Sequence, residues 1–300
     1  MIRSLRLIAV VGLLAGPVAV QAQEAFTIKI KKAAEGETTR AEKKEQGTEQ
    51  TKIADNNGNL LKEEAKKHSK HAVYKETVLE KKASQPRPVR LKRQYETATV
   101  TENGEKKTLP YQGKTVLIEK KGERYTFKIE GGEELTGEDA KLLNEEFNKK
   151  GKFDEDTFEK LFLPGKAVKV GETWKLDTQV IVKALREEGK MELDADKLKA
   201  TGSLTKAYKK DGKQFGVIVL RIEVAPKAFG DGGMIIPLQP GAKLSIEATV
   251  DTCIDGTSST GTGTFNLAIA AEALLPDANN PMFRLNVNVK AGGTYQNTEQ

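Results

Sequence analysis

The segment Leu161–Asp177, LFLPGKAVKVGETWKLD, contains the only tryptophan of the chain and marks the place where a helix gives way to strands. Pro164 is expected to end the helix, because the residue before a proline resists helical angles. Further on, Trp174 and Leu176 fall on one side of a strand that alternates with period two. A buried indole removes more than about 150 Å² from water, so we predict that Trp174 is a packing hub. No metal ligands or paired titratable groups accompany it, and the segment is predicted to be structural.

Alternation with period two recurs through most of the chain and predicts half-buried strands. In VRLKRQY, residues 89–95, we expect the apolar side chains to face the core and the arginines and the lysine to face solvent. Asn103-Gly104 and Asp211-Gly212 separate such runs and supply the positive φ angles of tight hairpins. The pattern predicts a mainly β (α+β) fold: a large curved antiparallel sheet, half-barrel or sandwich, with two or three helices packed on one face.

We predict one large β-rich domain over residues 23–300, with two subdomains as the alternative. A helical insert is predicted at about residues 136–163, where apolar side chains recur at helical spacing. The segment at about residues 42–70 is almost entirely polar, so we expect part of it to form a mobile hairpin or loop.

The first 22 residues are typical of a secretory signal peptide. Arg3 and Arg6 precede an apolar run, Leu7–Val20, which ends before small residues and is too short to cross a bilayer. Later stretches are too polar for a membrane helix, and we therefore predict no transmembrane segment in the mature chain. The protein is predicted to be exported, either periplasmic or secreted.

The segment that follows the helical insert resembles the sequences of a set of exported proteins. Its pattern, LPGKAVKVGETWKLD, is similar to a set of uncharacterised exported bacterial β-rich proteins of the planctomycete and bacteroidete type. The match is carried by Leu163, Pro164, Val168, Val170, Gly171, Glu172, Thr173 and Trp174. The resemblance spans about residues 117–271 and implies export and a β-rich fold. It implies no catalytic residue.

Composition narrows the classes of partner. The chain has 49 Lys and Arg against 43 Asp and Glu, a formal net charge of +6, and the two signs are mixed along the sequence. Nucleic-acid binding would favour clustered basic residues with aromatic side chains between them, so we predict no nucleic-acid partner. The glycine-rich stretches lack a strand-then-helix context, and no cofactor is predicted. The single cysteine, Cys253, cannot form an intramolecular disulfide and is predicted to be a small buried residue.

One metal site is conceivable. On a helix, Glu64, His68 and His71 would share a face, and imidazole with carboxylate is a ligand set for zinc or copper. The alternative, a lysine-rich solvated surface, fits the surrounding sequence better.

Three functions remain open. The hypothesis that we favour is a non-enzymatic envelope protein with a structural or interaction role. Such a protein would present a sheet edge or an apolar patch to a partner protein. The alternative is a periplasmic carrier of an apolar ligand such as a lipid, with Phe147, Phe158, Leu161 and Phe162 lining an apolar cleft. The third is a hydrolase that uses a pair of carboxylates.

Overall fold

The computed structural model describes residues 24–55, 57–82, 85, 87–148, 155–189, 191–231, 234–275 and 283–300. The signal peptide predicted at residues 1–22 therefore lies outside the described residues. The first half of the chain contains β1 (Ala25–Phe26), β2 (Thr38–Ala54), β3 (Leu60–Glu80), β4 (Arg90–Glu102), β5 (Glu105–Thr108), β6 (Thr115–Lys121), β7 (Arg124–Ile129) and α1 (Lys141–Phe147). A 3-10 turn, Gly137–Ala140, leads into α1.

The second half contains two helices and ten strands. These are α2 (Glu155–Phe162), β8 (Val168–Lys169), β9 (Thr173–Lys175), α3 (Thr178–Gly189), β10 (Met191–Leu193), β11 (Lys199–Lys210), β12 (Lys213–Val224), β13 (Pro226–Asp231), β14 (Met234–Pro237), β15 (Lys243–Cys253), β16 (Gly261–Leu275) and β17 (Phe283–Glu299). A second 3-10 turn, Ala195–Lys197, precedes β11. No helix within the described residues is both long enough and apolar enough to cross a membrane.

Twelve strands form one open antiparallel sheet. Its order is β7-β6-β4-β3-β2-β17-β16-β15-β12-β11-β9, and β5 is added beside β4. Each half of the chain is thus a meander, and the first long strand, β2, pairs with the last, β17, to join them. The predicted fold class is confirmed: the protein is mainly β, with a large antiparallel sheet and three helices.

Two separate hydrophobic cores lie on one face of this sheet, which we call the helix face. In the first core, α1 covers β2, β3, β4, β6 and β7, with Val116, Ile118 and Phe127 almost fully buried. In the second core, α2 and α3 cover β9, β11, β12 and β15. Trp174 lies in the second core at 7 % exposure, and its Nε1 donates to the carbonyl oxygen of Phe162 at 2.9 Å, so the predicted hub is confirmed.

The polar segment at residues 42–70 forms regular structure. Most of it belongs to β2 and β3, which pair residue for residue in a long hairpin. Both faces of β3 are exposed between Leu60 and His68, so its sequence shows no alternation although its backbone is fully paired. The helix considered for Glu64–His71 is therefore wrong, because these residues are held extended by backbone hydrogen bonds to β2 and β4.

One edge of the large sheet is capped by hydrogen bonds, and the other is covered only in part. At the outer edge of β7, Asn148 bonds the backbone N–H and carbonyl of Tyr125 at 2.6 and 2.9 Å. The N–H of Leu135 donates to the carbonyl of Phe127 at 2.8 Å and covers the next position. The other edge strand, β9, has only three residues and pairs with residues 201–203 of β11, so no strand pairs with the outer side of β11 beyond Leu204 among the described residues. Capped or very short edges discourage pairing with a further strand.

Candidate functional site

Of the four residues predicted to line an apolar cleft, the three whose side chains the structure describes do not come together. Phe147 packs in the first core, with its ring centroid 5.2 Å from that of Tyr125. Leu161 and Phe162 are buried in the second core. Phe158 lies in α2, but its side chain is outside the described residues. The three described side chains thus fill two different cores and leave no shared apolar cavity between them.

The proposed metal ligands are also separated. Because β3 is a strand, Glu64 and His68 lie on one face about 13 Å apart, and His71 lies on the other face. The ring of His68 covers Gly47, and Nε2 of His71 lies 3.1 Å from a carboxylate oxygen of Glu42. Within the described part of the chain, no group of three or more His, Cys, Asp or Glu side chains is arranged to hold a metal ion.

The most informative cavity is a cleft on the helix face between the two cores. Its volume is about 340 Å³. Residues from β2, β3, β4, β15, β17 and the segment before β2 line it, so both halves of the chain contribute. We call it the central cleft. Its polar and aromatic lining consists of Lys31, Glu37, Thr39, Lys43, Tyr74, Glu76, Arg93, Thr252, Ser259, Tyr295 and Asn297. Its apolar lining consists of Ile30, Ala33, Ala41, Val78 and Val250.

One glycine on β16, Gly263, lies between two residues that line the central cleft. Gly263 pairs with Val250 on one side and with Tyr295 on the other, and both of these side chains line the cleft. A Cβ atom at Gly263 would have its nearest neighbours at 3.6 and 3.8 Å, which is ordinary contact. The position therefore has room for a side chain that the sequence does not supply.

One wall of the central cleft is built around Arg93. Its Nη1 and Nη2 donate to the two carboxylate oxygens of Glu146 at 2.8 and 3.0 Å, and its Nε donates to Glu76. The guanidinium carbon lies 4.3 Å from the ring centroid of Tyr74 and 4.8 Å from that of Phe147, within the range of cation–π attraction. A buried arginine is thus paired, stacked and held rigid.

Lys43 completes this wall. Its Nζ donates to Glu146 at 2.7 Å and lies near the rings of Tyr74 and Tyr295. Burial alone would raise the pKa of Glu146, but the charges of Arg93 and Lys43 outweigh it and hold that pKa well below the usual range. Burial alone would likewise lower the pKa of Arg93, yet Glu146 keeps it raised. The ionised forms are therefore the stable ones.

The opposite wall joins the two ends of the described chain. Lys31, which precedes β2, pairs with Glu37 and, at 2.8 Å, with Glu299 near the end of β17. Glu299 also accepts from the Oγ of Ser258 and the N–H of Ser259, at 2.9 and 2.8 Å. Burial raises the pKa of Glu299, but these partners lower it to about 2.

Asn297 lies between the walls and has one unused polar atom. The residue is 8 % exposed, and its Nδ2 donates to the carbonyl of Ser259 at 3.0 Å. Its Oδ1 is the one buried side-chain polar atom of the described residues that has no hydrogen-bond partner. Such an atom costs about 1–3 kcal/mol, and because it has almost no accessible surface a molecule in the cleft does not reach it.

The arrangement suits binding better than acid–base chemistry. A carboxyl group acting as a general acid needs a raised pKa. Every described Asp or Glu whose pKa departs clearly from its ordinary value has it lowered, including Glu146 and Glu299 in the cleft walls. Cys253 is fully buried, as predicted, and its Sγ donates to Asp255.

Sequence reasoning missed the central cleft, although one signal was present. Arg93 falls between Leu91 and Tyr95 in the alternation, which places it on the buried side of β4, contrary to the expectation that it faces solvent. Its partners are distant in sequence, and neither the position of Glu146 nor that of Asn297 could be inferred without the strand register.

Comparison with known proteins adds little. No protein-family model and no curated protein matches the chain. Among solved structures, an outer membrane channel from Pseudomonas putida F1 is similar at 9 % identity, with 89 % of this chain and 97 % of that chain covered, and a TM-score of 0.21. At this TM-score the similarity establishes neither a common fold nor a common function.

Proposed function

We propose that this protein is an exported, non-enzymatic binding protein of the cell envelope, and that its ligand occupies the central cleft. One observation carries the proposal: about 340 Å³ stay open between two filled cores, at the place where both halves of the chain converge. Small-molecule sites have volumes from about 300 Å³ upwards and a few fixed polar groups, as this cleft does.

The rigidity of the walls supports this function. Arg93, Lys43, Glu76 and Glu146 form one connected network, and Lys31, Glu37 and Glu299 form another. Groups that are already held by partners lose little further freedom when a ligand arrives, which favours affinity. This function differs from the role predicted from sequence, in which a partner protein docks on a sheet edge or an apolar patch.

The alternative is a carrier of an apolar ligand, and the space under α1 is one place where such a ligand could bind. A pocket of about 220 Å³ lies there, lined in part by Leu109, Leu142 and Leu143. Lys43, Lys70, Glu145 and Glu146 line it as well, and they would lose hydration around an acyl chain. Its volume is also below the usual range for small-molecule sites.

Native mass spectrometry of the protein purified from its own envelope tests the proposal. The wild-type chain is expected to carry the added mass of a small molecule. Gly263→Val places a branched side chain between Val250 and Tyr295, and we expect it to abolish the adduct. Gly263→Ala, which adds a single methyl group, is the matched control and should retain most of it. The proposal is wrong if the wild type carries no adduct or if Gly263→Val retains it in full.

A further inference from the structure

A second hollow lies on the face of the sheet opposite to the helix face, which we call the back face. Its volume is about 540 Å³, and its floor is formed by β17, β2 and β3. Side chains alternate between the two faces of a strand, so Gln46 and Thr48 point to the back face while Lys43 points into the central cleft. The sheet therefore separates this back-face hollow from the central cleft.

The register of the strands places two lysines in one row of the back face. Lys290 on β17 is opposite Thr48 on β2, and Thr48 is opposite Lys67 on β3. Neighbouring strands lie about 4.8 Å apart, so the Cβ atoms of the two lysines are about 10 Å apart. Each ammonium group ends a flexible four-carbon stem, and both can therefore reach a single anion above Thr48.

The next row of the back face supplies space and hydrogen-bond donors. Gly292 lies between Asn266 on β16 and Gln46 on β2, and its missing side chain leaves room between the two amides. Gln46 is in turn opposite Ser69 on β3. Amides and hydroxyls can donate to a ligand, and these three side chains form no hydrogen bond within the described part of the chain.

The positive charge of the back-face hollow has no direct counter-charge. Of the described residues that line it, none is an aspartate or a glutamate, and Ala291 is the one apolar side chain. The ammonium groups of Lys67 and Lys290 form no ion pair with any described residue. By contrast, the three lysines of β2 each pair with a glutamate: Lys43 with Glu146, Lys44 with Glu42 and Lys52 with Glu63.

One wall of the hollow is held in place by the backbone. The N–H of Lys67 donates to Oδ1 of Asn103 at 3.0 Å, and the N–H of Asn103 donates to the carbonyl of Lys67 at 2.8 Å. These bonds fix the turn between β4 and β5 beside Lys67, where Gly104 lines the hollow. A fixed wall and a floor of paired strands lose little freedom when a ligand binds, which favours affinity.

We propose that the back-face hollow binds a phosphate monoester, with the phosphate between Lys67 and Lys290. Such a group carries close to two negative charges at pH 7 and three acceptor oxygens, which match two unpaired ammonium groups and the surrounding donors. A carboxylate carries only one charge. The volume lies within the usual range of small-molecule sites, so the ester can carry a sugar-sized group. A soluble sugar phosphate and a lipid headgroup are both sources of this chemistry.

Isothermal titration of the full mature chain with three probes of the same ring isolates the effect of charge. Glucose 6-phosphate, glucuronate and glucose carry about two, one and no negative charges. Glucose 6-phosphate is expected to bind at least about tenfold more tightly than glucuronate and more tightly still than glucose, because its phosphate bonds both lysines.

Substitution of the two lysines tests the site itself. Lys67→Met and Lys290→Met should each weaken the binding of glucose 6-phosphate about tenfold, because one charge-assisted hydrogen bond is lost. Both residues are exposed, so neither substitution should disturb the fold. Lys92→Met, at an exposed position of β4 outside the hollow, is the matched control and should leave the affinity unchanged.

Cosedimentation with phosphatidylcholine vesicles, with and without phosphatidic acid, distinguishes the two sources of phosphate. Binding only to the vesicles that contain phosphatidic acid, lost in both lysine variants, would assign a lipid headgroup. Three results would overturn the inference: neither glucose 6-phosphate nor these vesicles bind, glucose binds as tightly as glucose 6-phosphate, or Lys67→Met and Lys290→Met weaken binding no more than Lys92→Met does.

The central cleft provides an independent control. Gly263→Val fills space on the helix face and should leave the affinity for glucose 6-phosphate unchanged. If that substitution abolished the binding, the phosphate would lie in the central cleft, and the inference would be wrong while the proposed function stood. If no ligand is found in the central cleft but the two lysine variants lose the phosphate, the proposed function fails and the back-face hollow remains a binding site.

Discussion

Arg93 and Glu146 form a two-point ion pair, with Nη1 and Nη2 of the arginine 2.8 and 3.0 Å from the two carboxylate oxygens of the glutamate. The pair fastens α1 to β4 and forms one wall of the central cleft. Arg93 is 5 % exposed, so its charge depends on these partners for the solvation that water would otherwise provide.

Replacing Arg93 should therefore be costly. Arg93→Met removes the cation and leaves Glu146 with Lys43 alone, and we expect a loss of about 3 kcal/mol in the free energy of unfolding, measured by urea denaturation. Arg90→Met, at an exposed position on the same strand, should change it by less than about 0.5 kcal/mol. Equal effects of the two substitutions would show that the buried pair is not holding α1.

Two glycines in the sheet should respond to alanine in opposite ways. A Cβ atom at Gly202 would lie 2.5 Å from Nε1 of Trp174, so Gly202→Ala must displace the indole and is expected to cost about 2 kcal/mol. Gly263→Ala meets only ordinary contacts and should be neutral or stabilise slightly, since alanine loses less backbone freedom on folding. The fluorescence of the only tryptophan reports both transitions. A tolerated alanine at position 202 would contradict the packing described for Trp174.

Stability should fall in acid, partly through Glu299. Its pKa is about 2 in the folded protein and 4.5 as its ordinary value. A depressed folded pKa gives stability that is fully present above the unfolded value and is lost as the pH falls from about 5 to 2. Glu299→Gln should therefore lower the free energy of unfolding by about 2 kcal/mol at pH 7 and flatten its dependence on pH in this window.

The control for Glu299 is Glu247→Gln. Glu247 pairs with Arg221 on an exposed surface and should contribute less than about 0.5 kcal/mol. The contrary outcome is that Glu299→Gln and Glu247→Gln give the same dependence of the free energy of unfolding on pH. That result would contradict the stabilising role that the hydrogen bonds of Glu299 indicate.

Cys253 is expected to be unreactive in the folded protein. Its side chain is fully buried on β15, and Sγ lies 3.0 Å from Asp255. A thiol reagent should modify it only on unfolding, at the rate of global opening. Thr262→Cys, at an exposed position on the neighbouring strand, supplies a second thiol that should react at once. Rapid modification of both thiols would mean that the end of β15 that contains Cys253 opens locally.

The sequence was sufficient for the parts of the fold in which burial leaves a pattern. Trp174 and Leu176 alternate because one side of their strand faces the second core, and their burial followed from that period. The helical insert followed from apolar spacing, and the structure has α1 and α2 there. The third helix, Thr178–Gly189, lies beyond the predicted helical insert.

The parts of the fold that could not be predicted from the sequence have no local sequence pattern. β2 and β3 pair through the backbone, and much of both of their faces is in contact with solvent. Lysines and glutamates therefore occupy positions where a half-buried strand would have alternating apolar residues. The central cleft combines residues from 31 to 297, and their proximity depends on the pairing of β2 with β17. Pairing of the first and last long strands is a property of the whole sheet, and no short motif encodes it.

The most direct test of the central claim is an experimental structure, at high resolution, of the protein purified from its own envelope. The account predicts non-protein density in the central cleft, between the wall around Arg93 and the wall around Lys31. A cleft closed by the protein's own side chains, with no non-protein density in it, would contradict the account.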